Sequence, residues 1–213
     1  MGNENFDAIV FDFDGTLVDS NEIKSKAFGE LYKSYGDEIV NKVVNYNKQH
    51  KGLSRFKKFK YWQENLLGET YTDELGEQLS LSFSGLVLEA IVDASFIDGA
   101  HEFLKNNYHR VPLFVASGTP EQEIRGIVKR RKMARFFRGV YGSPSSKKQI
   151  LMHILKQYNF SPQRLLMVGD ALSDLEGAEQ ARVCFLGIMG GSDLAGLSSE
   201  QTIKNIHELY KFI

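Results

Sequence analysis

Short apolar runs recur along the chain, and turn residues bound each of them. The clearest runs are residues 8–13 (AIVFDF), 113–117 (LFVAS), 164–168 (RLLMV) and 183–189 (VCFLGIM), and a weaker one is 139–143 (GVYGS). The stretches between these runs have the spacing of apolar positions that is typical of helices. Continuous apolar strands that alternate with helices indicate a parallel sheet covered on both faces. The pattern therefore predicts an α/β fold.

One long segment interrupts this alternation and shows helical periodicity with no convincing strand. Gly36, Gly52, Gly68 and a helix start near residue 71 (YTDE) divide this segment into about four helices. The sequence therefore predicts a sheet domain made of residues 1–18 and 97–213, which is split by an all-helical insert at 19–96.

Composition narrows the class of protein without identifying it. The chain has 213 residues, of which 42% are hydrophobic, and its net charge is −1, so nothing draws it generally to nucleic acid or to an anionic membrane. The single cysteine, Cys184, allows no internal disulfide and favours a reducing, cytoplasmic location. The segment MGNENFD lacks the features of a signal peptide, and no segment approaches the roughly 20 apolar residues that span a bilayer.

Polar and charged side chains follow the predicted strands at the points where the strands end. Ligands bind beyond the carboxyl ends of strands in open α/β sheets, so we expect these side chains to form one site. The first strand ends in FDFDG, the second in SGTPEQ, the weaker run in GSPSSKKQ, and the next strand in GDALSDLE. The residues of interest are Asp12, Asp14, Ser117, Gly118, Lys147, Lys148, Asp170 and Asp174.

The helices after these strands begin with a Ser, Thr or Asp that is answered three positions later by Glu or Gln, which is the signature of a capping box. The pairs are Asp19 with Glu22, Thr119 with Gln122, Ser146 with Gln149, and Ser173 with Glu176, and Pro120 is expected at the first helical position. Such starts direct free backbone amides toward the mouth of the sheet, which favours an anion there.

Four aspartates at the same edge would repel one another and any bound anion. A hard divalent cation resolves this conflict, and Mg²⁺ fits because it takes oxygen ligands and shares itself with a phosphate. The sequence therefore predicts that Asp12, Asp14, Asp170 and Asp174 hold Mg²⁺ beside a phosphate group.

These segments together resemble the haloacid dehalogenase superfamily, in its large phosphatase branch. DFDGTLVDS is similar to the first motif of that family, Ser117 in VASGT to the second, Lys147 in GSPSSK to the third, and GDALSD to the fourth. The resemblance covers the predicted core and implies a Rossmann-like sheet of strand order 5-4-1-2-3. The helical insert lies where the family has its C1-type cap.

The resemblance implies a role for each matched residue. Asp12 would be the nucleophile that forms an aspartyl-phosphate. Asp14 would act as general acid and then general base, which implies a raised pKa. Mg²⁺ would be held by Asp12, Asp170, the backbone carbonyl of Asp14, and Asp174 through water. Ser117, the amides near Gly118, and Lys147 would bind phosphate oxygens, with Lys148 as the alternative to Lys147.

The same resemblance excludes some activities and leaves others open. A dehalogenase or a phosphonatase of the superfamily has no acid at the position of Asp14, so both are disfavoured. The first hypothesis is a phosphomonoesterase acting on a small sugar or polyol phosphate, and the alternative is a hexose-phosphate mutase. Related mutases have a histidine where this chain has Lys24, which lowers the mutase hypothesis. A catalytically silent regulatory module would lack the nucleophile or its acid, and neither is missing here.

The cap segment NKQHKGLSRFKKFKYW, residues 47–62, is where related caps place a specificity loop. Arg55 and Lys24, and also Lys51, could contact the leaving group. The alternative for Arg55 is a solvated helix face, and we expect Lys57, Lys58 and Lys60 to lie in solvent. The basic run at 125–138 is likewise expected to be the exposed side of a helix, so the predicted partner is a small phosphate ester and not nucleic acid.

Overall fold

The computed structural model of the chain describes residues 6–189, 194, 196–198 and 201–212. Six parallel strands form one sheet in the order β3-β2-β1-β4-β5-β6. They are β1 (Ala8–Phe11), β2 (Leu113–Pro120), β3 (Gly139–Ser143), β4 (Leu165–Gly169), β5 (Cys184–Ile188) and β6 (Thr202–Ile203). The predicted parallel sheet and its five-strand order are confirmed. Strand β6 was not predicted, because two residues are too few to form a recognisable apolar run.

Helices cover both faces of this sheet. They are α5 (Ala100–Asn107), α6 (Glu121–Arg130), α7 (Lys147–Tyr158) and α8 (Leu172–Ala181). Side chains of β1 alternate between the two faces. Ile9 and Phe11 belong to the apolar cluster that includes α5 and α6, whereas Ala8 and Val10 belong to the cluster that includes α7 and α8. Burial on both faces explains why the strands are continuous apolar runs.

The strand register brings the predicted site residues to one edge. Phe11 of β1 pairs with Val115 of β2 and with Val168 of β4. The residues that follow these three positions therefore lie side by side at the carboxyl edge of the sheet.

The segment between β1 and α5 contains helices and turns. The helices are α1 (Asn21–Leu31), α2 (Asp37–Gln49), α3 (Arg55–Tyr61) and α4 (Asp73–Asp93), and a π-helical turn at Trp62–Leu67 continues α3. The predicted breaks at Gly36, Gly52 and Gly68 are confirmed, since each interrupts the helices with a positive φ. Aromatic rings fill the interior of the insert. The Phe28 ring stacks on Phe83 at 4.0 Å and meets Trp62 edge-on at 5.0 Å.

Helix α4 corrects the expectation about apolar segments. Its 21 residues include an 18-residue window of mean hydropathy 1.3, so by length and composition the helix could span a bilayer. A core helix passes the same test, and Phe83, Val87 and Ile91 of α4 are buried in the main apolar cluster. This helix is therefore weak evidence for a membrane.

The insert joins the sheet through two adjacent chain segments. Val18 and Phe96 form an antiparallel bridge, in which the Ile97 amide donates to the Leu17 carbonyl at 3.0 Å. Beside this junction, the Arg131 guanidinium donates to the carbonyls of Ile91, Val92 and Ala94 at 2.7–2.8 Å. Arg131 therefore caps the end of α4, which departs from the expectation that the basic run lies wholly in solvent. The predicted boundaries of the insert at 19 and 96 stay a prediction.

Of the four predicted capping boxes, the structure has the one at Ser146 and Gln149. The N-cap residues of the other three helices are Ser20 for α1, Pro120 for α6 and Ala171 for α8. None of these side chains accepts a capping hydrogen bond. Two of the expected capping hydroxyls have other partners: Thr119 contacts Asp14 and Lys24, and Ser173 donates to the Lys51 carbonyl. The hydroxyls of Thr119 and Ser173, which the sequence pattern predicts to cap helices, instead form hydrogen bonds at the edge of the sheet.

Candidate active site

The end of β1 places Asp12 at the carboxyl edge of the sheet and buries it. Asp12 is 2% exposed, and its amide donates to the Val168 carbonyl of β4 at 2.8 Å. Gly15 then turns the chain with a φ of +80°. A Cβ at Gly15 would lie 2.4 Å from Asp170 Oδ2, so the turn needs glycine both for its backbone angle and for its closeness to the carboxylate.

Three buried carboxylates converge at this edge. Ligand oxygens of Asp12, Asp170 and Asp174 all lie within 4.8 Å of one another. Burial raises the pKa of Asp12 to about 7 and that of Asp170 to about 6, and it also raises the pKa of Asp174. Two acids that follow neighbouring strands and one in the first turn of α8 therefore share a space in which their negative charges are costly.

Lys147 offsets part of this negative charge. Its Nζ lies 2.5 Å from Asp12 Oδ1 and 2.7 Å from Asp174 Oδ1, and it also donates to the Ala116 carbonyl. Burial acts to lower the pKa of Lys147, but the two carboxylates outweigh it and hold the pKa above its ordinary value. Lys148 is exposed, so the structure brings Lys147, rather than its neighbour, to the site.

The end of β2 lies opposite these acids. Ser117 is 1% exposed, and its hydroxyl accepts from the Thr119 amide at 3.1 Å. A Cβ at Gly118 would lie 2.4 Å from the Gly52 carbonyl of the insert, so glycine here lets the insert approach the sheet edge closely.

Asp14 is directed away from the other three carboxylates. Its Oδ2 accepts from Lys24 Nζ at 2.5 Å and from Thr119 Oγ1 at 3.3 Å, and its Oδ1 accepts from Ser20 Oγ at 2.6 Å. Burial acts to raise the pKa of Asp14, but the Lys24 ammonium and the hydroxyls outweigh it and hold that pKa below its ordinary value. The expected raised pKa of Asp14 is therefore wrong for this arrangement, because the sequence did not show that Lys24 reaches it.

The insert lies over this edge, and a partly open cavity of about 500 Å³ lies between the two parts of the chain. Lys51 of the insert lies 3.7 Å from Asp170 Oδ2. Arg55 lines the cavity too, and its guanidinium makes two hydrogen bonds to Glu123 of α6, at 2.6 and 2.9 Å. Lys24 and Arg55, the two predicted specificity residues, therefore both line the cavity and both contact carboxylates of the sheet domain.

Several residues at the site were missed by sequence reasoning. Asn21 donates to Asp170 Oδ2 at 2.9 Å, and Thr16 donates to Asp170 Oδ1 at 3.4 Å. Lys58 was expected in solvent but is only 5% exposed and lines the cavity. A signal existed for Lys58: it lies three positions after Arg55 and four before Trp62, on the face of α3 that carries the buried residues.

The carboxylate cluster fits a hard divalent cation. Its donors are all oxygen atoms, as Mg²⁺ and similar ions prefer. Burial and the neighbouring carboxylates raise the pKa values of Asp12 and Asp170 even with Lys147 present, so further positive charge would be favourable here. A divalent cation held by Asp12, Asp170 and Asp174 would supply that charge.

A parallel sheet with helices on both faces, a carboxylate cluster beyond its carboxyl edge and a helical insert above it together define a hydrolase of the haloacid dehalogenase type. The chain belongs to the haloacid dehalogenase-like hydrolase family, whose pattern it matches over residues 9–188.

Relatives in that family have phosphatase names. Phosphoglycolate phosphatase 1 of Pseudomonas aeruginosa is 24% identical over 82% of this chain, and the match spans 66% of that protein's length. A phosphorylated carbohydrates phosphatase of Thermotoga maritima is 24% identical over 83% of this chain and 82% of its own. A crystal structure of a predicted phosphoglycolate phosphatase from Haemophilus somnus 129pt superposes with a TM-score of 0.78 at 17% identity, covering 99% of both chains.

Proposed function

We propose that the protein is a Mg²⁺-dependent phosphomonoester hydrolase that acts on a small phosphorylated metabolite, of the sugar or polyol phosphate class, through an aspartyl-phosphate. The names of two relatives support a small phosphorylated metabolite, and one of them, the phosphorylated carbohydrates phosphatase, supports the sugar phosphate class. The cavity of about 500 Å³ beneath the insert supports a small molecule rather than a protein substrate. A cytoplasmic location stays a prediction from the single cysteine.

The observation that carries the proposal is the position of Asp12. Its carboxylate is buried beside Lys147, and Ser117 lies at the end of the neighbouring strand β2, so a phosphate could be held against Asp12. A carboxylate oxygen of Asp12 attacks phosphorus, and the ester P–O bond breaks as the new P–O bond forms. Water then attacks the aspartyl-phosphate, which releases inorganic phosphate and restores Asp12.

Asp14 supplies the proton to the leaving alkoxide and later takes a proton from the attacking water. Lys24 keeps this carboxyl ionised in the structure, so the acid role requires the Lys24 ammonium to move away from Asp14 toward the substrate. Thr119, which contacts both side chains, can hold Asp14 in place during that exchange.

The other site residues bind and orient the phosphoryl group. The Ser117 hydroxyl, the amide of Gly118 and the Lys147 ammonium would donate to its nonbridging oxygens. Mg²⁺ would be held by the side chains of Asp12 and Asp170, the Asp14 carbonyl, and Asp174 through water. When bound, it neutralises charge on the carboxylates and on the transferring group.

Lys24 and Arg55 are the proposed specificity residues of the insert. The Lys24 ammonium lies beside Asp14, and hence beside the predicted position of the leaving group. Because Arg55 is held by Glu123, we expect its contribution to come from shaping the cavity wall. Arg55→Ala should then change the preference among natural esters more than the rate with p-nitrophenyl phosphate.

The proposal is tested by measuring phosphate release from a panel of phosphorylated metabolites, with Mg²⁺ and with a chelator. Asp12→Asn should abolish Mg²⁺-dependent release while the circular dichroism spectrum stays unchanged, and Asp98→Asn is the control because Asp98 is exposed and lies away from the cavity. Undiminished release from Asp12→Asn contradicts the proposal. Accumulation of a sugar bisphosphate without release of phosphate would instead indicate the hexose-phosphate mutase.

A further inference from the structure

Lys58 is a buried cation without a carboxylate partner. In the part of the chain that the structure describes, three cationic side chains are buried: Arg55, Lys58 and Lys147. Arg55 forms an ion pair with Glu123, and Lys147 forms ion pairs with Asp12 and Asp174. Among the same described residues, no carboxylate lies within ion-pair distance of Lys58.

The polar surroundings of Lys58 orient its ammonium but leave hydrogen-bonding capacity unused. Nζ donates to Asn47 Oδ1 at 2.6 Å, and Asn47 Nδ2 in turn donates to Ser25 Oγ at 2.9 Å. The Phe28 ring centre lies 5.6 Å from Nζ. A lysine ammonium has three protons to donate, and Asn47 accepts one of them.

Lys58, Asn47, Ser25 and Phe28 all line the cavity over the carboxylates. The other cations of that wall already have acidic partners: Lys24 contacts Asp14, and Lys51 lies near Asp170. The unpaired positive charge of the wall is thus concentrated at Lys58.

The charges around Lys58 favour the binding of an anion next to it. Burial, together with the neighbouring Lys24 and Arg55 cations, lowers its pKa from 10.5 to about 7, and Asp14 partly opposes this shift. An anionic group in the cavity would supply the negative charge that this part of the wall lacks.

We propose that Lys58 binds an anionic group on the alcohol portion of the substrate, either a carboxylate or a second phosphate. This narrows the proposed small phosphorylated metabolites to those whose alcohol portion carries a second acidic group, such as phosphomonoesters of hydroxy acids or sugar and polyol bisphosphates, in preference to esters of neutral polyols. This inference rests on the proposed function, because it concerns the leaving group of the same reaction.

The experiment compares esters that differ only in the group offered to Lys58. Phosphoglycolate and 2-hydroxyethyl phosphate form a two-carbon pair, and 3-phosphoglycerate and glycerol 3-phosphate form a three-carbon pair. Ethylene glycol bisphosphate tests the second phosphate. The measured quantity is the ratio of kcat/KM between the anionic and the neutral ester in each pair, so that effects on the shared chemistry cancel.

Lys58→Met should lower this ratio roughly 10- to 100-fold for the preferred anionic ester, which is the effect of losing a charge-assisted hydrogen bond. Lys58→Arg should retain much of the preference. Lys57→Met removes the same charge from an exposed position of the same helix and should leave the ratio unchanged. A preference for carboxylate over bisphosphate, or the reverse, identifies the anion.

A second measurement needs no variant. Between pH 6 and 9 Lys58 loses its proton in the unliganded protein, so the anionic-to-neutral ratio should fall by about tenfold or more across this range. The charged groups facing Lys58 are Lys24 from α1, Asp14 from the loop after β1, and Arg55 from its own helix. Their effects on the common chemistry act on both members of a pair and cancel in the ratio.

Each result has a definite meaning. Hydrolysis of both members with equal kcat/KM, or a ratio unaffected by Lys58→Met, overturns the role of Lys58 and leaves the proposed function standing. Absence of hydrolysis of every ester, p-nitrophenyl phosphate included, overturns the proposed function and the role of Lys58 with it. A ratio that is constant from pH 6 to 9 overturns the role of Lys58 even if the variants do not fold.

Discussion

The ion pair between Arg55 and Glu123 joins the insert to the sheet domain and should contribute strongly to stability. Two hydrogen bonds of 2.6 and 2.9 Å connect the guanidinium to the carboxylate, and the side chains are 4% and 14% exposed. Ser84 Oγ also donates to Glu123 and accepts from Arg55. We consider the change Glu123→Gln, which keeps the shape of the side chain but leaves the arginine charge without its counter-charge.

Breaking a buried ion pair by removing one partner costs about 3–5 kcal/mol. Here Glu123 is partly exposed, and the hydroxyl of Ser84 and the carbonyl of Ser80 can still accept from Arg55. We therefore expect a loss of about 2–3 kcal/mol in the free energy of unfolding. For a chain of this length that corresponds to a decrease in Tm of about 4–10 °C.

Urea unfolding followed by tryptophan fluorescence measures this loss. Trp62 is the only tryptophan of the chain, and it is fully buried within the insert, so it reports on this part directly. The control is Glu121→Gln, which makes the same chemical change on the same helix, in an ion pair with Arg125 whose side chains are 56% and 36% exposed. That control should change stability by at most about 0.5 kcal/mol.

Two further results decide the interpretation. Replacing both partners, as Arg55→Met with Glu123→Leu, should recover most of the loss, since an apolar pair of similar size has no unpaired charge. If Glu123→Gln and Glu121→Gln are equally stable, the pair does not hold the insert on the sheet domain.

Three other changes test the electrostatics of the site. Adding Mg²⁺ to metal-free protein should raise Tm, by the equivalent of about 2.7 kcal/mol at a hundredfold excess over Kd, and a Tm that does not respond to Mg²⁺ contradicts the metal site. Lys24→Met removes the cation that depresses the pKa of Asp14 in the free enzyme, so that pKa should rise and the alkaline limb of kcat/KM should move to higher pH, whereas an unmoved limb contradicts a role for Asp14 as acid. Because the pKa of Lys58 is lowered to about 7, the unfolded chain binds more protons between that pH and 10.5, and the stability of the unchanged protein should rise with pH across this window. Lys58→Met lacks this penalty and should be more stable by about 2–4 kcal/mol at pH 6, with the difference closing by pH 10, and equal urea midpoints at pH 6 would contradict a charged, buried Lys58.

The sheet and its carboxylates could be predicted because their signals are local. Each buried strand is a continuous apolar run, and acids of the carboxylate cluster follow these runs directly, as Asp12 follows β1 and Asp170 follows β4. The parallel arrangement then places the strand ends at one edge without further information.

The contacts between the insert and the sheet could not be predicted in the same way. Lys24 and Asp14 are ten residues apart, and Arg55 and Glu123 are 68 apart, so their pairing depends on how the insert folds back over the sheet. The error at Lys58 had a different origin. A cluster of lysines usually marks an exposed helix face, but the helical period puts Lys58 on the same side as the buried Phe59 and Trp62.

In the part of the chain that the structure describes, Arg130 and Glu89 form an exposed ion pair between the sheet domain and the insert, and three further ion pairs between these two parts involve residues that line the cavity. They are Lys24 with Asp14, Lys51 with Asp170, and Arg55 with Glu123. Two of them use acids with proposed roles in the reaction, so any change in the charge of those acids also changes how firmly the insert is held. Glu123 lies on α6, outside the carboxylate cluster, and its pair with Arg55 is independent of that charge. The Arg55–Glu123 pair therefore need not change when the proposed substrate alters the charge around Asp14 or Asp170.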